Sequence, residues 1–255
     1  MEMGGEMLVL GGLAFVAGLI DAVVGGGGLI QVPALFTLLP QAAPAVLFGT
    51  NKFASIFGTV SAAWRYARHI DVPWRVALPA AAASVPASYL GAMAVSLLAR
   101  DVLRPLVLVL LLAVALYTFL HKDFGRIDAQ RRLGRREMWL AAAGGLALGF
   151  YDGFFGPGAG SFMIFIFVRV FGLDFLRASS AAKVVNGSTN FAALLFFAGH
   201  GQVLWPLALT MALCNIAGAQ CGSQLALRHG SAFVRRLFLV LATALIAKFG
   251  YDTWR

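Results

Sequence analysis

The chain has 255 residues, of which 60% are hydrophobic and 12% charged, and its mean hydropathy is +0.82. That is too little polar surface to cover a soluble globule of this length, so the composition excludes a water-soluble enzyme or binding module and points to an all-α polytopic membrane protein. The net charge of +9 would suggest nucleic acid in a soluble protein; here the basic residues lie in short loops between apolar runs, where their meaning is topology and the bilayer is the partner.

In chain order the sequence predicts ten apolar segments, at 5–24, 27–40, 46–64, 76–99 and 103–120, then 138–155, 158–172, 178–198, 204–227 and 232–251. They lack the ten-residue alternation of a membrane barrel, so they are read as helices. Glu2 and Glu6 precede the first with no basic residue, which reads as a retained membrane segment and not a signal peptide. The second segment of each set of five is short and follows a glycine-rich break, and is expected to cross fully or to re-enter. Cys214 and Cys221 fall on one predicted helix, too far apart to bond to each other.

Between the two sets, 121–137 is the one long polar stretch and holds Lys122, Arg126, Arg131, Arg132, Arg135 and Arg136, which places it in the cytoplasm. The expected organisation is an N-terminal membrane repeat at 1–120, a cytoplasmic linker at 121–137 and a C-terminal membrane repeat at 138–255, multi-pass in a bacterial inner membrane. With either full crossings or re-entrant hairpins, most of the 20 Lys and Arg fall on the cytoplasmic side, among them Arg65, Arg68, Arg75, Arg169, Arg177, Arg228 and Arg236, while 196–206 has no charge. The two sets are then inverted relative to each other. A parallel arrangement would put the basic cluster at 228–236 outside and ranks second.

The repeat itself is legible residue by residue. Moving 18–91 forward by 131 positions lays Asp21 on Asp152, Gly25 on Gly156, Lys52 on Lys183, His69 on His200, Trp74 on Trp205 and Gly91 on Gly222. Identities are few, but they fall on residue types that apolar helices seldom carry. His69 and His200, beside Trp74 and Trp205, read as interfacial anchors.

Four ionisable residues lie well inside apolar segments or their breaks: Asp21, Lys52, Asp152 and Lys183. Each costs about 2.5–3.5 kcal/mol at the centre of a lone helix, so the four require partners, water or a ligand. One reading pairs each Asp with the Lys of its own half and gives them no other role. The functional reading turns the lysines to a substrate cavity and makes Asp21 and Asp152 the proton-coupling or ion-pairing groups. Lys52, Ser55 and Thr59 share one helix face, as do Lys183, Asn186 and Asn190 at the same offsets. Two related polar stripes led by lysine suggest opposing cavity walls, although such stripes also serve as interhelical glue.

The glycine breaks supply a second anion-friendly element. Gly26, Gly27 and Gly28 precede one short helix and Gly158, Gly160 and Ser161 open the other, where backbone N–H groups can face an anion; close helix packing is the alternative use of these glycines. Neither break matches a Walker or dinucleotide fingerprint, and no metal-ligand spacing or cofactor motif is present in the sequence.

Residues 18–33 (GLIDAVVGGGGLIQVP), Gly49-Thr50-Asn51-Lys52 and residues 149–161 (GFYDGFFGPGAGS) resemble the TauE/SafE family of sulfite and organosulfonate exporters of the bacterial inner membrane. The resemblance implies a secondary transporter for a small sulfur-containing anion such as sulfite, sulfoacetate or another organosulfonate, or thiosulfate, and adds Asn51 to the substrate-binding candidates. In the second half Ser180-Ala181-Ala182-Lys183 stands where Gly49 to Lys52 stand in the first, so only the lysine carries over. A homodimer is compatible with the sequence.

Export is also electrically sensible, because a monoanion leaving a negative interior gains about 2.3 kcal/mol per 100 mV. Two other functions account for part of the sequence. A cation transporter could use the paired aspartates, but the two lysines oppose it. An intramembrane aspartyl protease could use Tyr151-Asp152 and Pro33-Ala34-Leu35, but the second aspartate lacks its glycine context and the lysines go unexplained.

Overall fold

The computed structural model describes residues 3–98 and 134–253, and every regular element among them is a helix. They are α1 (Met3–Val24), α2 (Gly28–Leu38), α3 (Pro44–Ala67), α4 (Trp74–Ser96), α5 (Arg135–Phe154), α6 (Ala159–Arg169), α7 (Phe175–Gly199) and α8 (Trp205–Thr253). The segment expected at 103–120 and most of the basic linker lie outside the described residues.

Local chemistry sets several boundaries. Pro44 opens α3 at a position where its missing N–H costs nothing. Asp174 caps α7, its Oδ1 accepting from Leu176 N at 2.9 Å and Arg177 N at 3.1 Å. The segments expected at 204–227 and 232–251 are two helices in direct succession, together labelled α8, which part at Gly230 (φ 72°, ψ −173°). That left-handed conformation is open to glycine, so a single residue redirects the chain without a loop.

Helices α1 and α4, over Gly5–Val24 and Trp74–Ser96, are long and apolar enough to cross a bilayer. Helices α2 and α6, each of 11 residues, reach about 17 Å at 1.5 Å per residue, roughly half of a 30 Å hydrocarbon core.

The packing alternates between the two ends of the chain. Helix α1 lies along α8, and α4 along α5; α3 rests on α7 and α8, and α7 also on α4. The closest approaches occur at small residues. A Cβ on Gly18 would fall 2.3 Å from Asn215 O, and one on Gly149, 131 positions later, 2.7 Å from Ser84 Cα, where Ser84 precedes Asn215 by the same 131. Likewise Gly91 sits on Phe150 O and Gly222 on Leu19 O, both at 2.3 Å from the would-be Cβ. Small residues let backbones touch, which is how helices gain packing in a medium as apolar as their side chains.

Two apolar clusters flank the centre. Phe48, Phe155, Phe196 and Phe197 form one with Val32 and Val95. Val23, Val24, Tyr66, Phe167, Phe171 and Phe175 belong to the other.

Candidate functional site

The glycine breaks bring the site together. Gly25 (φ 79°) and Gly156 (φ 94°) turn the chain at the ends of α1 and α5. A Cβ on Gly25 would stand 2.4 Å from the carbonyl carbon of Gly160, and one on Gly160 2.6 Å from Gly25 O. The two breaks therefore meet backbone to backbone, and the starts of α2 and α6 face each other.

Around this junction the four buried charges pair across the halves. Lys52 Nζ lies 2.9 Å from Asp152 Oδ1, and Lys183 Nζ lies 2.8 Å from Asp21 Oδ2. The reading in which each aspartate neutralises the lysine of its own half is thus corrected. Lys52 is 2% and Lys183 0% exposed, against 3% and 15% for the side chains of Asp152 and Asp21. Asp152 Oδ2 also accepts a hydrogen bond from Thr189 Oγ1. Asp21 accepts longer bonds, from Thr59 Oγ1 at 3.3 Å and from Gly27 N at 3.4 Å.

A chamber of about 20 Å3 opens beside these pairs, room for one water molecule. Its charged wall is Asp21, Lys52 and Asp152. Asn51, Ser55 and Thr59 of α3 face Asn186 and Asn190 of α7 across it, and Gly28 and Gly160 reach it from the short helices. Asn190 Nδ2 donates to Asn186 Oδ1 at 3.3 Å, so the α7 amides brace each other.

Five of the residues picked out in the sequence do not line the chamber: Lys183, Gly26, Gly27, Gly158 and Ser161. Lys183 is sealed behind Asp21. The Gly27 N–H is turned to the Asp21 carboxylate, so the anion at this helix start is the protein's own. Gly158 (φ 81°) is the N-cap of α6 and its carbonyl accepts from Phe162 N at 3.0 Å. The Ser161 hydroxyl donates to Val24 O at 2.8 Å, which satisfies a carbonyl left open where α1 ends.

Sequence reasoning missed Thr189 and Gln31. Gln31 is 1% exposed, and its Oε1 accepts from Ser55 Oγ at 3.1 Å. Gln31 could have been found as a polar residue inside an apolar run; Thr189 sits next to Asn190 and is set apart only by its tertiary partner.

Trp74 and Trp205 begin α4 and α8 and stay half exposed. His69 and His200 each place Nδ1 2.8 Å from a carbonyl one turn earlier, of Arg65 and Phe196. Cys214 and Cys221 are both free thiols.

No solved structure matches the chain. Among curated proteins it is 38% identical, over 91% of its length and 87% of the other's, to a protein of Sinorhizobium sp. named "Probable membrane transporter protein ORF9". It is 36% identical to "Probable membrane transporter protein YfcA" of Escherichia coli K12, over 96% of this chain and 91% of that one. A "Probable membrane transporter protein" of Haemophilus influenzae is 33% identical over 99% and 98%. The family model described as "Sulfite exporter TauE/SafE" matches residues 10–249. With that model running over nearly the whole sequence, the chain belongs to the TauE/SafE family of membrane transporters and is not an enzyme.

Proposed function

We propose that this protein is a secondary transporter exporting a small sulfur-containing anion, such as sulfite, sulfoacetate or another organosulfonate, or thiosulfate, across the bacterial inner membrane by alternating access. The observation that carries the reading is the crossed pairing of Lys52 with Asp152 and Lys183 with Asp21 beside a chamber walled by amides and hydroxyls. Two cations and two carboxylates sum to zero formal charge. A monoanion entering such a site either displaces a carboxylate from its lysine or arrives as a carboxylate takes up a proton, because an uncompensated charge in a low-dielectric site is costly.

Lys52 is the cation on the chamber wall and Asp21 the more accessible carboxylate. In this reading Lys52 receives the anion as Asp152 withdraws from it, while Lys183 and Asp21 stay paired, so the anion crosses as a charge. The chamber accepts about one water as it stands, so the halves rearrange before a sulfite or sulfonate head enters.

An inverted-repeat architecture, with residues 1–120 and 138–255 as its halves, is supported by the reciprocal packing of α1 with α8 and α4 with α5 and by the contacts that recur at an offset of 131. Substrate sites of such transporters lie where the repeats meet, between broken helices. A cation as cargo fits less well, since each aspartate is already engaged by a lysine.

Purified protein in liposomes, assayed for flux of sulfite, sulfoacetate, thiosulfate and a divalent metal cation, tests the reading. Saturable anion flux is expected, faster when the compartment holding the anion is negative. Flux of the cation alone would overturn it.

A further inference from the structure

The chamber region contains two polar atoms that the protein leaves open. Gln31 Nε2 and Asn51 Oδ1 are buried and have no hydrogen-bond partner among the described residues. Both side chains are more than nine-tenths buried, at 1% and 4% exposure. An unpaired amide group in such surroundings bears its full desolvation penalty, and in hydrocarbon no bulk water is at hand to relieve it. A donor and an acceptor left open in the same region, where α2 meets α3, call for a ligand that supplies the missing contacts.

Gln31 is fixed in place by its other end. Its Oε1 accepts from Ser55 Oγ at 3.1 Å, and Ser55, with Asn51, lies on the chamber wall. With the amide oxygen on Ser55 Oγ, the N–H2 stands open, one hydrogen bond behind the wall. The position 131 residues later is Phe162, which packs on the aromatic cluster with its ring 5.7 Å from that of Tyr151. The amide is thus present on one side only, and a ligand meeting it sits off the axis between the halves, towards α2 and α3.

We propose that Gln31 is a substrate-binding residue whose Nε2 donates to an oxygen of the sulfite or sulfonate head when the chamber enlarges. The inference rests on the anion-transport reading and gives it a contact that neither charge nor repeat symmetry supplies. Two donors then converge on the oxyanion, the Lys52 ammonium and the Gln31 amide, while the single proton of the Ser55 hydroxyl stays on Gln31 Oε1. Because Ser55 holds Gln31, the two act together, and losing either loosens the other.

The test measures sulfite and sulfoacetate flux against concentration for the full chain in liposomes, with Gln31→Met and Gln31→Glu, and records thermal unfolding of each. A lost hydrogen bond to a charged group raises KM about tenfold or more with kcat little changed. Gln31→Met should show that rise with an unfolding temperature near that of the unaltered protein, since removing the open N–H2 offsets the loss of the Ser55 bond. Gln31→Glu keeps the acceptor for Ser55, and its KM should climb as pH is raised and the new carboxyl ionises, a response that a purely structural role would not give. A KM for Gln31→Met within twofold of the unaltered protein overturns the proposal; where that variant fails to fold, a pH-independent, unaltered KM for Gln31→Glu does so. Absence of anion flux in the unaltered protein is a separate result, which removes the transport reading and this contact with it.

Discussion

A lysine buried between apolar helices is tolerated when a carboxylate answers it, and the answer here comes from the far half of the chain. Taking each ion out of water costs several kcal/mol, and the attraction between the partners returns this only while both are present. Lys52→Met alone leaves Asp152 buried with Thr189 as its remaining bonded partner, and should lower stability by about 3–5 kcal/mol. Replacing both, as Lys52→Met with Asp152→Leu, should restore most of the loss, which chemical denaturation in detergent can measure. The glycines allow an equally local test. Gly25→Ala would force a left-handed φ of 79° on alanine and drive its Cβ to 2.4 Å from the Gly160 carbonyl carbon, whereas nothing lies within 4 Å of a Cβ on Gly12. Folded yield by size-exclusion chromatography should collapse for Gly25→Ala and stay near that of the unaltered protein for Gly12→Ala. The four charges stood out in the sequence because apolar helices so seldom carry them. Their pairing did not, since which lysine meets which aspartate is set by how the halves pack.

At the level of elements, the polar stripes explain both what the sequence showed and what it obscured. Asn51, Lys52, Ser55 and Thr59 mark α3 as a cavity wall, and the same residues lower its mean hydropathy, so that α1 and α4 are the described helices that pass a simple span test. The break at 230 was legible as the polar Arg228-His229-Gly230-Ser231 between two apolar segments; what the sequence did not show is that a single glycine makes the turn. Helix ends reflect their chemistry more directly. The last carbonyls of α1 are each taken by a hydroxyl from elsewhere, Tyr66 on Ala22 O at 2.8 Å, Ser179 on Val23 O at 2.9 Å and Ser161 on Val24 O at 2.8 Å. The equivalent positions in the other half are Phe197, Phe48 and Ile30, so the end of α5 is flanked by apolar side chains instead. Ser161→Ala should cost about 1–3 kcal/mol by stranding a buried carbonyl, with the KM for substrate unchanged. Asp174→Ala removes the cap of α7 and its bond from Ser231 Oγ at 2.9 Å; a loss of about 0.5–2 kcal/mol is expected, read as a lowered midpoint of thermal unfolding.

For the whole molecule the crossed pairs make each half incomplete without the other. Lys52 and Lys183 each bond to a carboxylate from the other part of the sequence, so under the proposed mechanism a rearrangement that opens the chamber would stretch or exchange these contacts. An anion is well suited to intervene, because it offers a lysine what the retreating carboxylate withdraws. The sequence pointed to this scale through its internal offset, and some close contacts recur at that offset, as Gly18 on Asn215 and Gly149 on Ser84 do. The size of the chamber was not legible there, because it depends on how closely α3 and α7 approach.

The most direct measurement is the transient current evoked by a sulfite or sulfoacetate concentration jump on proteoliposomes adsorbed to a solid-supported membrane, comparing the unaltered protein with the double variant Lys52→Met, Asp152→Leu. The account predicts a saturable current in the first and none in the second, with the second folded and as stable as the first. A double variant that carries the anion current undiminished would contradict it.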